Sequence, residues 1–147
     1  MAGPVSGLLG FIAGWLARRR DPRMAVGRRG ERVAARSLRA EGYRVVARNA
    51  RVGRHEIDLI CEAPDGSTIV LVEVKARTRH AGASASSLAV PPERAIDGRK
   101  RRAVRAAAIA LRRANGWESR PMRLDMVAVE LPDRGEPVVR HWPGPTI

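Results

Sequence analysis

Glu73 and Lys75 stand two residues apart at the charged end of an apolar run, Ile69-Val70-Leu71-Val72. Branched apolar residues in series mark a buried strand. Side chains alternate along a strand, so Ile69, Leu71, Glu73, Lys75 and Arg77 leave by one face. A carboxylate and an ammonium at the margin of a core cost desolvation unless something pairs with them. Asp58 is the third candidate, in the alternating stretch His55-Glu56-Ile57-Asp58-Leu59-Ile60-Cys61. Between the two runs lies Glu62-Ala63-Pro64-Asp65-Gly66-Ser67, and Asp-Gly is a strong hairpin signal. With Asp65 and Gly66 as the two turn residues, Asp58 falls opposite Glu73 and Glu56 opposite Lys75. Facing carboxylates repel each other. A divalent cation between them removes the repulsion, and hard oxygen donors suit magnesium or manganese. A slip of one residue would send the two acids to opposite faces.

These residues carry a resemblance. Glu56-Ile57-Asp58-Leu59-Ile60 and Val72-Glu73-Val74-Lys75-Ala76-Arg77, with Gly30-Glu31 upstream, resemble the aspartate and Glu-x-Lys elements of restriction-endonuclease-like nucleases. More closely, the chain from about Gly27 to Val129 is similar to the YraN family of small bacterial proteins, which resemble archaeal Holliday junction resolvases. The resemblance implies metal-dependent hydrolysis of phosphodiester bonds in DNA, with branched DNA as one substrate and a homodimer as the assembly. It implies Asp58, Glu73 and Glu31 as ligands of Mg2+ or Mn2+. Asp58, Glu73, Lys75 and Glu31 would be the catalytic set, with Glu56 behind them or paired with Lys75. The family usually has Gly directly before its Glu-Ile-Asp, where this chain has His55, which reads as an exposed substitution.

The 147 residues suit one domain with a real core. A net charge of +13, with Arg far outnumbering Lys, has a plain reading as solubility and codon preference. Its sharper reading is an electrostatic footprint for a polyanion, and clustering of the charge favours nucleic acid, DNA in the light of the resemblance. Aromatics are few, which argues against a base-stacking platform. The lone Cys61 excludes a disulfide framework within the chain and reads as a small buried hydrophobe. His55, His80 and His141 show no zinc spacing. These features suit a reducing cytoplasm.

The elements that must position the candidates follow in order. Residues 1–24 form an apolar, basic extension. Its apolar run, Pro4 to Leu16, is too short for a membrane span and a poor signal peptide. Residues 5–20 read as an appended helix, with a membrane-surface anchor as the sharper alternative. The domain occupies residues 25–142 and a tail 143–147. Gly27-Arg28-Arg29-Gly30-Glu31 opens a helix to about Glu41, with Glu31 in its first turn, where a carboxylate complements the dipole. Tyr43 to Asn49 is a strand and Asn49 to Arg54 a connection. Thr78 to Pro92 is a loop beside the site. A second helix runs from about Pro92 to Asn115, with Ile96, Val104, Ala107, Ala108 and Leu111 on its apolar face.

Arg99, Lys100, Arg101, Arg102 and Arg105 crowd the first half of that helix. With Arg77 and Arg79 they are the candidate nucleic-acid contacts; a solvated face is the plainer reading. Met122 to Val129 and Val138 to Trp142 are the last strands, and Asp125 reads as a structural partner of Arg123. The expected fold is α/β: a restriction-endonuclease-like mixed sheet of about five strands, in the order α-β-β-β-α-β-β. Two rival functions remain: a catalytically inactive nucleic-acid-binding protein with this fold, and a basic membrane-surface or ribosome-associated protein.

Overall fold

A computed structural model describes residues 22–80 and 97–147. Helix α1 (Pro22–Ala40) leads into strands β1 (Arg44–Val52), β2 (His55–Glu62) and β3 (Ile69–Arg79). Helix α2 (Gly98–Asn115) then precedes β4 (Met122–Pro132) and β5 (Val138–Trp142). The five strands form one mixed sheet in sequential order. β3 and β4 pair in parallel; the other neighbours are antiparallel. Parallel pairing requires a crossover, and α2 lies within it. The expected α/β architecture and element order are those observed.

Alternation along the strands builds two cores, one on each side of the sheet. Ala34, Ala35 and Leu38 of α1 pack with Leu59, Cys61, Val70, Val72, Val127, Val129 and Leu131. Val104, Ala107, Ala108 and Leu111 of α2 pack with Ile57, Ile60, Ile69, Leu71, Met122, Leu124 and Met126 on the other face. β3 therefore sends Ile69 and Leu71 toward α2 and Val70 and Val72 toward α1. Cys61 is buried, and burial pushes its thiol up to about 12, so it behaves as a hydrophobe.

Several local expectations change. α1 starts at Pro22, where a proline loses nothing because the first-turn N–H has no partner anyway. Glu31 consequently lies in mid-helix, and the first-turn dipole reading does not hold. β1 continues to Val52, which pairs with His55, leaving Gly53 and Arg54 as the turn. Gly53 takes the positive φ of 61°, so His55 sits in ordinary strand geometry. The β2–β3 loop is four residues long: Ala63 N–H donates to the Thr68 carbonyl and Gly66 N–H to that of Ala63. The register survives because Leu59 pairs with Val72, the frame that sets Asp58 and Glu73 at the next step. The second helix is described from Gly98 onward, with Asp97 capping it through the Lys100 N–H at 2.7 Å; its expected start at Pro92, with Ile96, lies outside the described residues. So do the loop core and the extension through residue 21. No described helix is long and apolar enough to cross a membrane. The tail is fastened to the sheet: Ile147 N–H donates to the Met122 carbonyl, and Thr146 bridges to Arg123.

Candidate active site

β3 supplies the centre of the site. Glu73 continues the face of Ile69 and Leu71, and its side chain is only 11% exposed. Each carboxylate oxygen meets an ammonium: Oε1 lies 3.0 Å from Lys75 Nζ and Oε2 lies 2.9 Å from Lys100 Nζ. Lys75 is two residues along the same strand and shares the face. Lys100 arrives from the first turn of α2. Sequence reasoning counted Lys100 among phosphate contacts and missed its tie to Glu73. A signal was present: among 28 Lys and Arg residues, the only lysines are Lys75 and Lys100.

Asp58 stands where the β2–β3 ladder ends, one step past the Leu59–Val72 pair. The strands part there, and Asp58 Oδ2 accepts the freed Val74 N–H at 2.7 Å. Burial, together with the negative charges of Glu73 and Glu31, pushes its carboxyl up to about 7. The Val74 N–H and Lys100 offset only part of this. On the other side of Asp58, β1 and β2 pair at Arg48–Leu59 and resume at Ala50–Ile57. Asn49, at φ 49°, fills the gap in β1. Ala47 and Ala50 pack into the same core, as do Ile57 and Ile60, so both strands step out of alternation at Asn49 and Asp58. Asn was readable only as a residue tolerant of this backbone region.

Glu31 reaches the site from the α1 side. Gly30 makes this approach: a Cβ there would overlap the Ala76 Cβ of β3. Burial raises the Glu31 carboxyl, opposed by a hydrogen bond from Asn49 and the charges of Arg48 and Arg28, with Glu56 adding to the rise. Glu31 Oε2 is buried and accepts no hydrogen bond from a described residue.

Whether these residues suit a divalent ion can be judged from the donors. Asp58, Glu73 and Glu31 are hard oxygen donors, and burial raises the proton affinity of Asp58 and Glu31, helped by Glu73 and Glu31 at the first and by Glu56 at the second. An orphaned buried oxygen on Glu31 is a further donor in want of a partner. Magnesium typically takes one or two carboxylates and completes its shell with water and phosphate. Asp58 and Glu73 fit that requirement. Among the described residues, however, no three His, Cys, Asp or Glu side chains are grouped to hold an ion as they stand. Both oxygens of Glu73 already carry an ammonium contact.

Other expected members sit apart. Glu56 is exposed and lies 3.8 Å from Arg51, its cross-strand partner, rather than on Lys75. The β2–β3 ladder has ended before Glu56, so nothing holds it against Lys75. Arg79 is tied to buried Glu130 at 2.7 Å and is not a free phosphate contact, whereas Arg77 is exposed. Arg99, Arg101, Arg102 and Arg105 are exposed on α2.

A second polar cluster lies on the opposite face of the sheet, the α1 side, where Asp125 pairs in register with Val72. Fully buried Asp125 accepts from Arg123 at 2.7 and 2.9 Å and from the Gly144 N–H at 3.0 Å. His141 bridges Asp125 at 2.7 Å and Glu41 at 3.1 Å, and Tyr43 Oη accepts from Arg123. The expected Arg123–Asp125 pair is present; His141 was legible only as an isolated histidine. Burial pushes the Asp125 carboxyl up, but hydrogen bonds from His141 and Arg123 outweigh it and leave the group below its ordinary value. Burial pushes His141 down, and its bonds to the two carboxylates more than reverse this.

Comparison with known proteins agrees with the extent of this fold. The model of an uncharacterised protein family, UPF0102, matches residues 30–129, spanning Gly30, Glu31, Asp58, Glu73, Lys75 and Lys100. A UPF0102 protein of Anaeromyxobacter dehalogenans is 42% identical over 123 residues, covering 84% of each chain. One from Streptomyces coelicolor is 42% identical over 126 residues, 84% of this chain and 90% of its own. One from Symbiobacterium thermophilum is 44% identical over 106 residues, 71% of this chain and 81% of its own. A family match across most of the sheet and similarity of this extent leave one assignment: the chain belongs to the UPF0102, or YraN, family.

Proposed function

We propose that this chain is a divalent-cation-dependent endonuclease that hydrolyses phosphodiester bonds in DNA. The observation that carries the reading is the cluster at the β2–β3 fork: Asp58 and Glu73 in electrostatic contact, with two lysine ammonium groups on Glu73. Two acids beside two cations are what phosphoryl transfer needs, since its catalysis is mostly positioning and charge stabilisation. Asp58 and Glu73 would hold Mg2+ or Mn2+, with Glu31 as a further donor. When bound, the ion supplies Lewis-acid polarisation of the phosphoryl group and lowers the pKa of a coordinated water. Lys75, 55% exposed at its side chain, is accessible to a substrate phosphate and would donate to the charge building on phosphorus. In the ion-free protein Asp58, near 7, holds its proton up to about neutral pH, and an arriving ion would displace that proton. Exposed Arg77, Arg99, Arg101, Arg102 and Arg105 hold the backbone without reading sequence. Branched DNA and a homodimer follow from the family resemblance to junction resolvases.

The test is cleavage of linear, branched and single-stranded DNA with and without magnesium. Activity should appear with the ion and vanish in Asp58→Ala and Glu73→Ala while DNA binding persists. Cleavage by Asp58→Ala at the wild-type rate would sink the reading. One observation favours a second function, DNA binding without catalysis: Glu73 is already charge-balanced by its two lysines. Binding without cleavage under any divalent ion would select it.

A further inference from the structure

Basic residues in this chain are almost uniformly arginine. Only two of the 28 Lys and Arg residues are lysine, and both ammonium groups lie on the carboxylate of Glu73. Whatever favours arginine elsewhere did not act at these two positions. A guanidinium grips a carboxylate through a planar fork and takes both oxygens at once. An ammonium is a compact point charge that engages one oxygen and can be replaced by another point charge. The arrangement at Glu73 is one ammonium per oxygen.

The two lysines are not equivalent. Lys75 and Glu73 are neighbours on one face of β3, so strand geometry keeps them together. Lys100 belongs to α2, and its Nζ ties the first turn of that helix to β3. Its side chain is 38% exposed, so the ammonium is already partly hydrated and its release regains water. The Asp97 cap holds the Lys100 backbone independently of the ammonium, so the helix start does not depend on the Glu73 contact.

We propose that Lys100 is an exchangeable counter-cation. In the ion-free protein its ammonium neutralises Glu73 Oε2, and a divalent ion takes that place when it binds. The displaced Lys100 ammonium is then free for an anionic oxygen of the substrate, so arrival of the ion creates a phosphate contact on α2. Lys75 stays on Oε1 throughout. Lys100 is thus a positioning residue that couples ion binding to the basic helix. This inference rests on the proposed ion-dependent function.

Two lysines make the experiment direct. Protein labelled with 13C and 15N only at lysine gives two side-chain signals, assigned with Lys75→Arg and Lys100→Arg. Magnesium is titrated into the ion-free full chain, and affinity is measured separately by calorimetry. The Lys100 side-chain signal should move to the position of a free lysine with the same midpoint as the calorimetric curve, while that of Lys75 remains in place. Lys100→Met should bind magnesium about tenfold more tightly, one partly exposed charge-assisted contact having been removed from the competition. Lys100→Arg should bind it more weakly than wild type, which simple loss or retention of charge does not predict. Glu73→Gln should release both lysines with no ion present. Magnesium binding that leaves the Lys100 signal unmoved, or that moves Lys75 instead, overturns the exchange and spares the proposed function. Absence of magnesium binding in wild type and Lys100→Met alike overturns both. Binding by Lys100→Met alone supports the exchange with a stronger competitor.

Discussion

Asp58→Asn should make the ion-free protein more stable above neutral pH, and the gain should depend on pH in a defined way. Asp58 ionises near 3.8 when unfolded and near 7 when folded, because burial and then the charge of Glu73 oppose its anion. A folded-state pKa above the unfolded value means that the native state holds its proton longer. Below about pH 4 both states are protonated and the group contributes no penalty. Between 4 and 7 the native state loses stability progressively, and above 7 the penalty is complete. The difference between these two values corresponds to roughly 4 kcal/mol. The Asn side-chain oxygen still accepts the Val74 N–H, so the substitution removes the charge and keeps the bond. Denaturant unfolding of wild type and Asp58→Asn at pH 4.5, 6 and 8 measures the difference. It should be small at 4.5 and several kcal/mol at 8. Magnesium at about a hundred times its dissociation constant should recover about 2.7 kcal/mol for wild type alone. Equal stabilities at pH 8, or a gain that is the same at all three pH values, would refute the account of Asp58.

Gly30→Ala should destabilise the protein by about 1–3 kcal/mol through overlap with Ala76, and Ala76→Gly in the same chain should restore most of the melting temperature. His141→Ala should cost on the order of 3 kcal/mol at pH 6, since it strips an imidazolium from buried Asp125. Because His141 is raised above 6.5, that cost is full below the unfolded value and fades as pH climbs through the folded one, so unfolding at pH 9 should show a smaller difference. Arg101→Gln and Arg102→Gln should each flatten the slope of log affinity for duplex DNA against log salt by roughly 0.9; unchanged slopes in both would take α2 out of the interface. Lys75→Met should abolish cleavage in a magnesium assay while leaving the salt slope nearly intact, and retained cleavage would remove Lys75 from the chemistry.

Much of the molecule is written in local pattern. Alternation in Ile69–Arg77 determined which face Glu73 and Lys75 share, and the Asp-Gly loop set the register that brings Asp58 toward Glu73. The loop itself is longer than the two-residue turn, yet the pairing frame is unchanged, because burial of Leu59, Ile60, Leu71 and Val72 tolerates no slip. Helix periodicity likewise placed Ala34 and Leu38, and Val104 and Leu111, on inward faces. The sequence also carries the choice of two lysines in an arginine-rich chain, though not their destination.

Tertiary structure alone decided what meets across distance. Lys100 reaches Glu73 only because the β3-to-β4 crossover lays α2 on one face of the sheet. Glu31 turns to the site because Gly30 lets α1 touch β3. Asn49 adopts a positive φ opposite Asp58, and His141 finds Glu41, a hundred residues away, through the closing of β5 on β4. Spacing along the chain fixes neighbours on one strand or helix turn, since their geometry repeats every two or 3.6 residues. Contacts between elements depend on how whole faces pack, and that energy is shared over the entire core rather than encoded near the residues it brings together.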